Sequence, residues 1–128
     1  MAIELGSKVV KDTPSYSSYA IGISLPLQFG NNTFTQTYQT IDQVKSNIKN
    51  LLLTKKYERL MQPNLGGNIK AMLFETITPA TLKLIEEQVR STINLHEPRA
   101  DLIDVLVSSE IDDNTVVVKI AFYISNNQ

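Results

Sequence analysis

From Ile21 onward, apolar and polar positions alternate along the chain. Ile21, Ile23, Leu25, Leu27 and Phe29 share one side of an extended segment. Pro26 lies inside this run and has no N–H to give to a ladder, so the segment reads as an edge strand. Gly30 to Asn32 is turn chemistry, and Phe34, Gln36 and Tyr38 alternate again as a short return strand. The period then lengthens. Ile41, Val44, Ile48, Leu51 and Leu52 recur at helical spacing, and Thr40 with Gln43 has the spacing of a capping box at the helix start. This helix fades near Thr54. Lys55 to Gly67, "KKYERLMQPNLGG", has no clean period and is punctuated by Pro63 and Gly66-Gly67, which predicts an ordered loop. A short helix with Ile69, Met72 and Leu73 on one side follows. Thr78 then reads as an N-cap with Pro79 at the first helical position. Leu82, Ile85, Val89 and Ile93 form the next stripe, and Pro98 closes that helix by about Glu97 because its ring clashes with the preceding turn.

The last quarter returns to a period of two. Ile103, Val105, Val107 and Ile111 face one way, Asp112 to Asn114 is a turn, and Val116, Val118, Ile120, Phe122 and Ile124 share a face. That pattern predicts a long β-hairpin with one buried side. Residues 1–19 are weakly patterned and carry Pro14, Ser15, Ser17 and Ser18, so they read as a flexible N-terminal arm with little apolar surface to offset ordering entropy. The expected fold class is α+β. Three helices pack on one side of a small antiparallel sheet that ends in the C-terminal hairpin, in a single domain over residues 20–128.

Composition narrows the chemistry. Of 128 residues, 42% are hydrophobic and 20% charged, with a formal net charge of -1, so no global charge points to nucleic acid. The chain has no cysteine and a single histidine, His96, which argues against disulfides and catalytic zinc and leaves no cofactor or metal expected. No apolar run approaches the roughly 20 residues of a bilayer span. The segment "MAIELGSKVVKDTPSYSSY" has no signal-peptide pattern, so synthesis in a cytoplasm and no membrane contact are expected.

Glycoside hydrolysis needs two carboxyl groups, one of them with a raised pKa. The candidates are Glu58, Glu75, Glu86, Glu87 and Glu97. Glu86 and Glu87 fall on the polar side of a helix. Glu58 and Glu97 lie near Arg59 and Arg99, cations that favour the charged carboxylate, the wrong direction for a general acid. There is no tryptophan to floor a sugar cleft. One histidine and no nucleophile elbow leave no triad, so no enzymatic activity and no catalytic residue are expected. Gly66-Gly67 lacks a phosphate-binding fingerprint and reads as a turn needing left-handed backbone. Tyr57, Arg59, Leu60 and Met61 are residue types enriched in interfaces, although Leu60 and Met61 read equally well as plugs beneath the loop. Glu97-Pro98-Arg99 has two readings as well. It is a complete helix stop, and it is a corner that fixes the chain's exit and offers a fork of donors to a partner.

Taken in order, "LLLTKKYERLMQPNLGGNIKAMLFE" (Leu51 to Glu75), "HEPR" and an alternating hairpin resemble the baseplate wedge family of contractile-tailed phages, the gene-product-twenty-five type also represented in type VI secretion baseplates. The resemblance covers residues 40–124. The family's loop arginine falls on Arg59, its proline on Pro63 and its glycine on Gly66. Its Leu-Phe-Glu falls on Leu73, Phe74 and Glu75, and its Glu-Pro-Arg on Glu97, Pro98 and Arg99. Tyr57 stands where a glycine is common, Leu65 where an aromatic is common, and Ala100 where a branched apolar residue is usual.

The resemblance implies a structural subunit of the virion's tail baseplate. Such a subunit docks on the helical core bundle formed by other wedge proteins, with Glu-Pro-Arg implicated in the docking. It also initiates the tail sheath, whose subunits share strands with their neighbours. Partner contacts are then expected at Glu97, Pro98, Arg99, Arg59 and Tyr57. Two further readings come with the fold: a regulatory protein-binding module similar to a bacterial anti-adaptor, and a lysozyme-like cell-wall hydrolase.

Overall fold

A computed structural model describes residues 2–7, 19–30, 33–110 and 115–124. Ten elements follow one another: β1 (Ala2–Ser7), β2 (Gly22–Ile23), β3 (Phe29–Gly30), β4 (Thr33–Phe34), β5 (Gln36–Thr37), α1 (Thr40–Leu53), α2 (Ile69–Met72), α3 (Pro79–His96), β6 (Ala100–Glu110) and β7 (Thr115–Ile124). Among the described residues the fold is mixed helix and sheet, with three helices and a C-terminal pair of long strands. The turn expected at Asp112 to Asn114, and Ile111 before it, lie outside the described residues.

α3 forms where its local chemistry allows. Thr78 accepts the Thr81 amide through its hydroxyl at 3.2 Å, Pro79 occupies the first turn, and the Glu97 amide closes the last turn on the Ile93 carbonyl at 2.8 Å. α1 begins at Thr40 as expected, but the capping box does not form. Gln39 takes the cap position without a side-chain bond, and Gln43 turns its amide to Thr37 and Asn47 instead. A second pair of polar partners outcompetes the free amide, which water can satisfy at an exposed helix start.

The core gathers Val44, Ile48 and Leu52 of α1, Ile69 of α2, Ile85, Val89 and Ile93 of α3, and Val105, Val116, Val118, Ile120 and Phe122 of the strands. The stripes read from periodicity in the helices and in β7 line this core, whereas the alternating residues Ile21, Ile23, Leu27 and Phe29 are exposed and β6 departs at one position. The register slips between Leu102 and Asp104, so Ile103 is an extra residue opposite β7. A bulge of this kind resets the alternation. Leu102 and Val105 turn to the core, and Ile103 is left half exposed, against the expectation that it shares the buried face.

The main sheet has the order β1-β7-β6 and is mixed, not antiparallel. β1 runs parallel to β7, with Ala2 opposite Val117 and Ser7 opposite Phe122. The flexible arm expected over residues 1–19 thus contains a strand; residues 8–18 lie outside the described residues. Six residues are too few for a period to stand out, and the stabilisation comes from main-chain bonds to a strand more than a hundred residues away, which a local pattern does not reveal. The segment 19–38, here called the wing, forms two short antiparallel ribbons, β2 with β5 and β3 with β4, separate from the main sheet. The continuous strand expected from Ile21 to Phe29 is interrupted around Pro26.

The loop between α1 and α2 is ordered by its own main chain. Tyr57 donates its amide to the Pro63 carbonyl at 2.8 Å, Gly67 donates to Thr54 at 3.2 Å, and the Glu58 carboxylate accepts the Lys55 amide at 2.8 Å. Tyr57 takes a left-handed backbone, φ 67°, and Gly66 has φ 103°.

Candidate partner-docking surface

The end of α3 and the start of β6 meet in one sharp turn. Glu97 leaves the helix with extended φ, and its carbonyl accepts the Ala100 amide at 3.0 Å, so Pro98 and Arg99 occupy the tip. Pro98 and Arg99 are exposed, whereas Glu97 is buried, 6% accessible. A carboxylate taken out of water must be paired. It is paired side-on with Arg99: Nε donates to Oε1 at 2.7 Å and Nη2 donates to Oε2 at 3.2 Å. Asn47 on α1 supplies a third donor, Nδ2 to Oε2 at 3.0 Å.

This pairing acts on Arg99. The hydrogen bond and the charge of Glu97 raise the guanidinium pKa above its ordinary value, against a smaller lowering by partial burial. A guanidinium carries five N–H donors. Two are spent on Glu97, and the rest have no partner among the described residues. With Nε and one side of Nη2 turned inward, Nη1 and the other side of Nη2 remain as a planar fork facing outward. Such a fork matches a carboxylate or a pair of carbonyls.

Behind Asn47 runs a line of amides that the sequence reading missed. Thr37 donates its hydroxyl to Gln43 Oε1 at 2.6 Å, and Gln43 Nε2 donates to Asn47 Oδ1 at 2.8 Å. The available signal was Gln43 and Asn47 four apart on a helix, where such side chains bond; the capping-box reading had already claimed Gln43.

The other expected contact residues lie elsewhere. Tyr57 and Arg59 are exposed in the α1–α2 loop, and Arg59 has no ion pair among the described residues. Leu60 and Met61 are 96% and 94% accessible, which removes their reading as plugs beneath the loop. Leu73 packs against the core, Phe74 is 92% accessible and Glu75 is exposed. Pro63 and Gly66 shape the loop as described above. No hydrogen bond or ion pair among the described residues ties this loop to the Glu97–Arg99 turn.

Among the described residues Glu58, Glu86 and Glu97 each engage other partners and not one another. Glu58 caps the Lys55 amide, Glu86 pairs with Arg90 at 3.4 Å, and Glu97 is committed to Arg99 and Asn47. An open groove of about 360 Å³ between the wing and α1 has Ser24, Tyr38, Asp42 and Lys45 in its lining, with Asp42 its single carboxyl group. Among the described residues no group of acidic and histidine side chains could hold a metal, and no helix is long and apolar enough to cross a membrane.

Comparison with known proteins bears on this surface. The family of the baseplate wedge protein gp25 matches residues 38–128. The baseplate wedge protein gp25 of Enterobacteria phage T4 is 32% identical over 84 residues, which is 66% of this chain; the chain spans 64% of the length of that relative. Among solved structures, a chain of the anti-feeding prophage baseplate is 28% identical, with a TM-score of 0.70 over 81% of this chain and 84% of that one. A chain of the postcontracted pyocin R2 baseplate (17% identity, TM-score 0.62, 78% of this chain, 99% of that one) shares the fold. So does a putative tail lysozyme from Geobacter sulfurreducens, at 24% identity and a TM-score of 0.54 over 71% of this chain and 96% of that one. The wing up to Gln36 and Thr37 precedes the region matched by the family.

Proposed function

The chain belongs to the baseplate wedge protein gp25 family, and from that premise we propose that it is a structural subunit of a contractile-tail baseplate that docks on the wedge's helical core bundle through Glu97, Pro98 and Arg99. The observation that carries this reading is the outward fork of Arg99, held in place by a buried carboxylate. A surface arginine on a flexible stem loses side-chain entropy when a partner fixes it, of order 0.5–1.5 kcal/mol. Arg99 is already fixed by two bonds, so that cost is largely met before the partner arrives. Tyr57 and Arg59, with exposed Leu60 and Met61, are a second contact region on the same subunit.

Arg99→Glu is the test. It places a carboxylate beside Glu97 and reverses the charge offered to the partner. Because it leaves the buried Glu97 without its cation, the variant is expected to melt at a lower temperature but still cooperatively, with the wild-type far-UV spectrum, and to be missing from assembled wedges. Normal incorporation would overturn the docking role.

An open sheet edge supports sheath initiation as a second part of this role. β7 is flanked by β6 and β1, while the outer edge of β6 is unpaired among the described residues. An added strand would gain main-chain bonds there. Leu106 in β6 is 58% accessible, and the chain has no native thiol. Leu106→Cys is expected to alkylate readily in the isolated protein and to be protected in particles that carry sheath. Equal reactivity in both overturns strand sharing at β6.

A further inference from the structure

We propose that Asn47, Gln43 and Thr37 are positioning residues for Arg99, and that the wing is their anchor. The proposal rests on Arg99 being a docking residue, and it assigns the wing, which largely precedes the region matched by the family, a part in that docking.

The line of bonds has a direction. The Glu97 carboxylate oxygen accepts, so Asn47 presents its NH2 to Glu97 and its oxygen to Gln43. Gln43 must then present its NH2 to Asn47 and its carbonyl oxygen to Thr37, whose hydroxyl donates. Turning either amide over alone would place two donors or two acceptors in contact, so the orientation set at Glu97 runs back to Thr37, and the Thr37 hydroxyl holds the far end of the line in place.

Glu97 needs this third donor. Its carboxylate can rotate about its terminal bond, and the side-on pair with Arg99 holds only while both oxygens face the guanidinium. Asn47 Nδ2 bonds Oε2, the oxygen that also takes the longer of the two Arg99 bonds. Without Asn47 the carboxylate is held by Arg99 alone, and Arg99, 44% accessible at its side chain, is free to swing into water.

The wing closes the other end. Gly22 of β2 is opposite Thr37 of β5 and lies directly over the Gln43 amide, so that a Cβ on Gly22 would collide with the Gln43 side-chain oxygen and nitrogen. Thr37 bonds the amide, and Gly22 leaves room only for an amide in that place. The obstructing atoms are the far end of a flexible side chain, so Gly22→Ala displaces Gln43 at small cost to the fold.

The test is made on the full chain by following the Arg99 Nε–H in nitrogen–proton correlation spectra, assigned by its loss in Arg99→Lys. The hydrogen bond to Glu97 slows exchange of this proton with water. Asn47→Leu removes the donor to Glu97, and its Nε–H is expected to exchange roughly five-fold faster, the equivalent of one net hydrogen bond. Gly22→Ala and Thr37→Val are expected to accelerate exchange at least about two-fold, with Thr37→Ser restoring it because the hydroxyl returns. A merely structural Thr37 would not move the Arg99 signal. If Asn47→Leu does not fold, Gly22→Ala and the Thr37 pair carry the test. Wild-type exchange in the folded variants overturns the positioning role. Normal wedge assembly of Arg99→Glu would instead remove the docking reading and leave faster exchange in Asn47→Leu standing, so the two failures are distinguishable.

Discussion

Gly66 lies directly against the main-chain carbonyl of Thr54, twelve residue-to-residue bonds of loop having brought the chain back to the end of α1, and its own φ is 103°. The same carbonyl accepts the Gly67 amide at 3.2 Å, so the loop is closed by main chain on main chain. A side chain at Gly66 faces a double penalty, a left-handed backbone and a collision with an atom that cannot rotate away. Gly66→Ala is expected to cost about 2–5 kcal/mol, the sum of left-handed strain and overpacking. Urea denaturation with an unchanged slope checks it.

Tyr57 sits in the same loop with φ 67°, in a conformation glycine adopts freely. Replacing it relieves about 1–2 kcal/mol of left-handed strain. The same change gives the unfolded chain more freedom, about 0.4–1 kcal/mol in the other direction. Tyr57→Gly is therefore expected to be neutral to slightly stabilising in thermal melts. A loss of wedge assembly with stability retained would assign the ring a contact role.

The pH behaviour of the Glu97–Arg99 turn follows from Arg99. Its folded-state pKa is raised, so its contribution is fully present below the ordinary arginine value and is lost only as pH climbs through a still higher one. The wild-type turn should therefore not titrate through Arg99 anywhere in the usual working range. Arg99→Lys moves the same loss down toward the ordinary lysine value of about 10.4. Melting data for that variant should diverge from wild type as alkaline pH is approached, and parallel curves would show that residue 99 does not contribute through its charge.

Phe122 is fully buried at the centre of the core on the middle strand. Phe122→Ala is expected to destabilise by about 3–5 kcal/mol, close to the whole stability of a marginal domain. Calorimetry should find the variant partly unfolded at 37 °C or failing to melt cooperatively.

What could be read in advance differs from element to element for physical reasons. α3 was legible to within a residue, because Thr78, Pro79 and Pro98 each act within one turn of themselves. The buried stripe of β7 was legible because its alternation is unbroken. Ile103 was misread because a bulge resets the period without any residue type that announces it. β1 was misread because its partner is remote in sequence. Glu97 and Arg99 were legible as a pair of residues. That the carboxylate is buried and backed by Asn47 depends on α1 lying beside the end of α3, a tertiary fact with only the Gln43–Asn47 spacing as a local trace.

The sheet order also dictates when the domain can exist. Its middle strand, β7, is the last of the three to leave the ribosome, and β1 must wait for it while more than a hundred residues are translated, roughly 5–20 s at ordinary elongation rates. Until then the nascent chain holds helices with no spine to lie on and an early strand with nothing to zip against. Formation of the sheet is thus gated by synthesis of β7, and a translation product cut short before β7 has no middle strand for β1 or β6 to join.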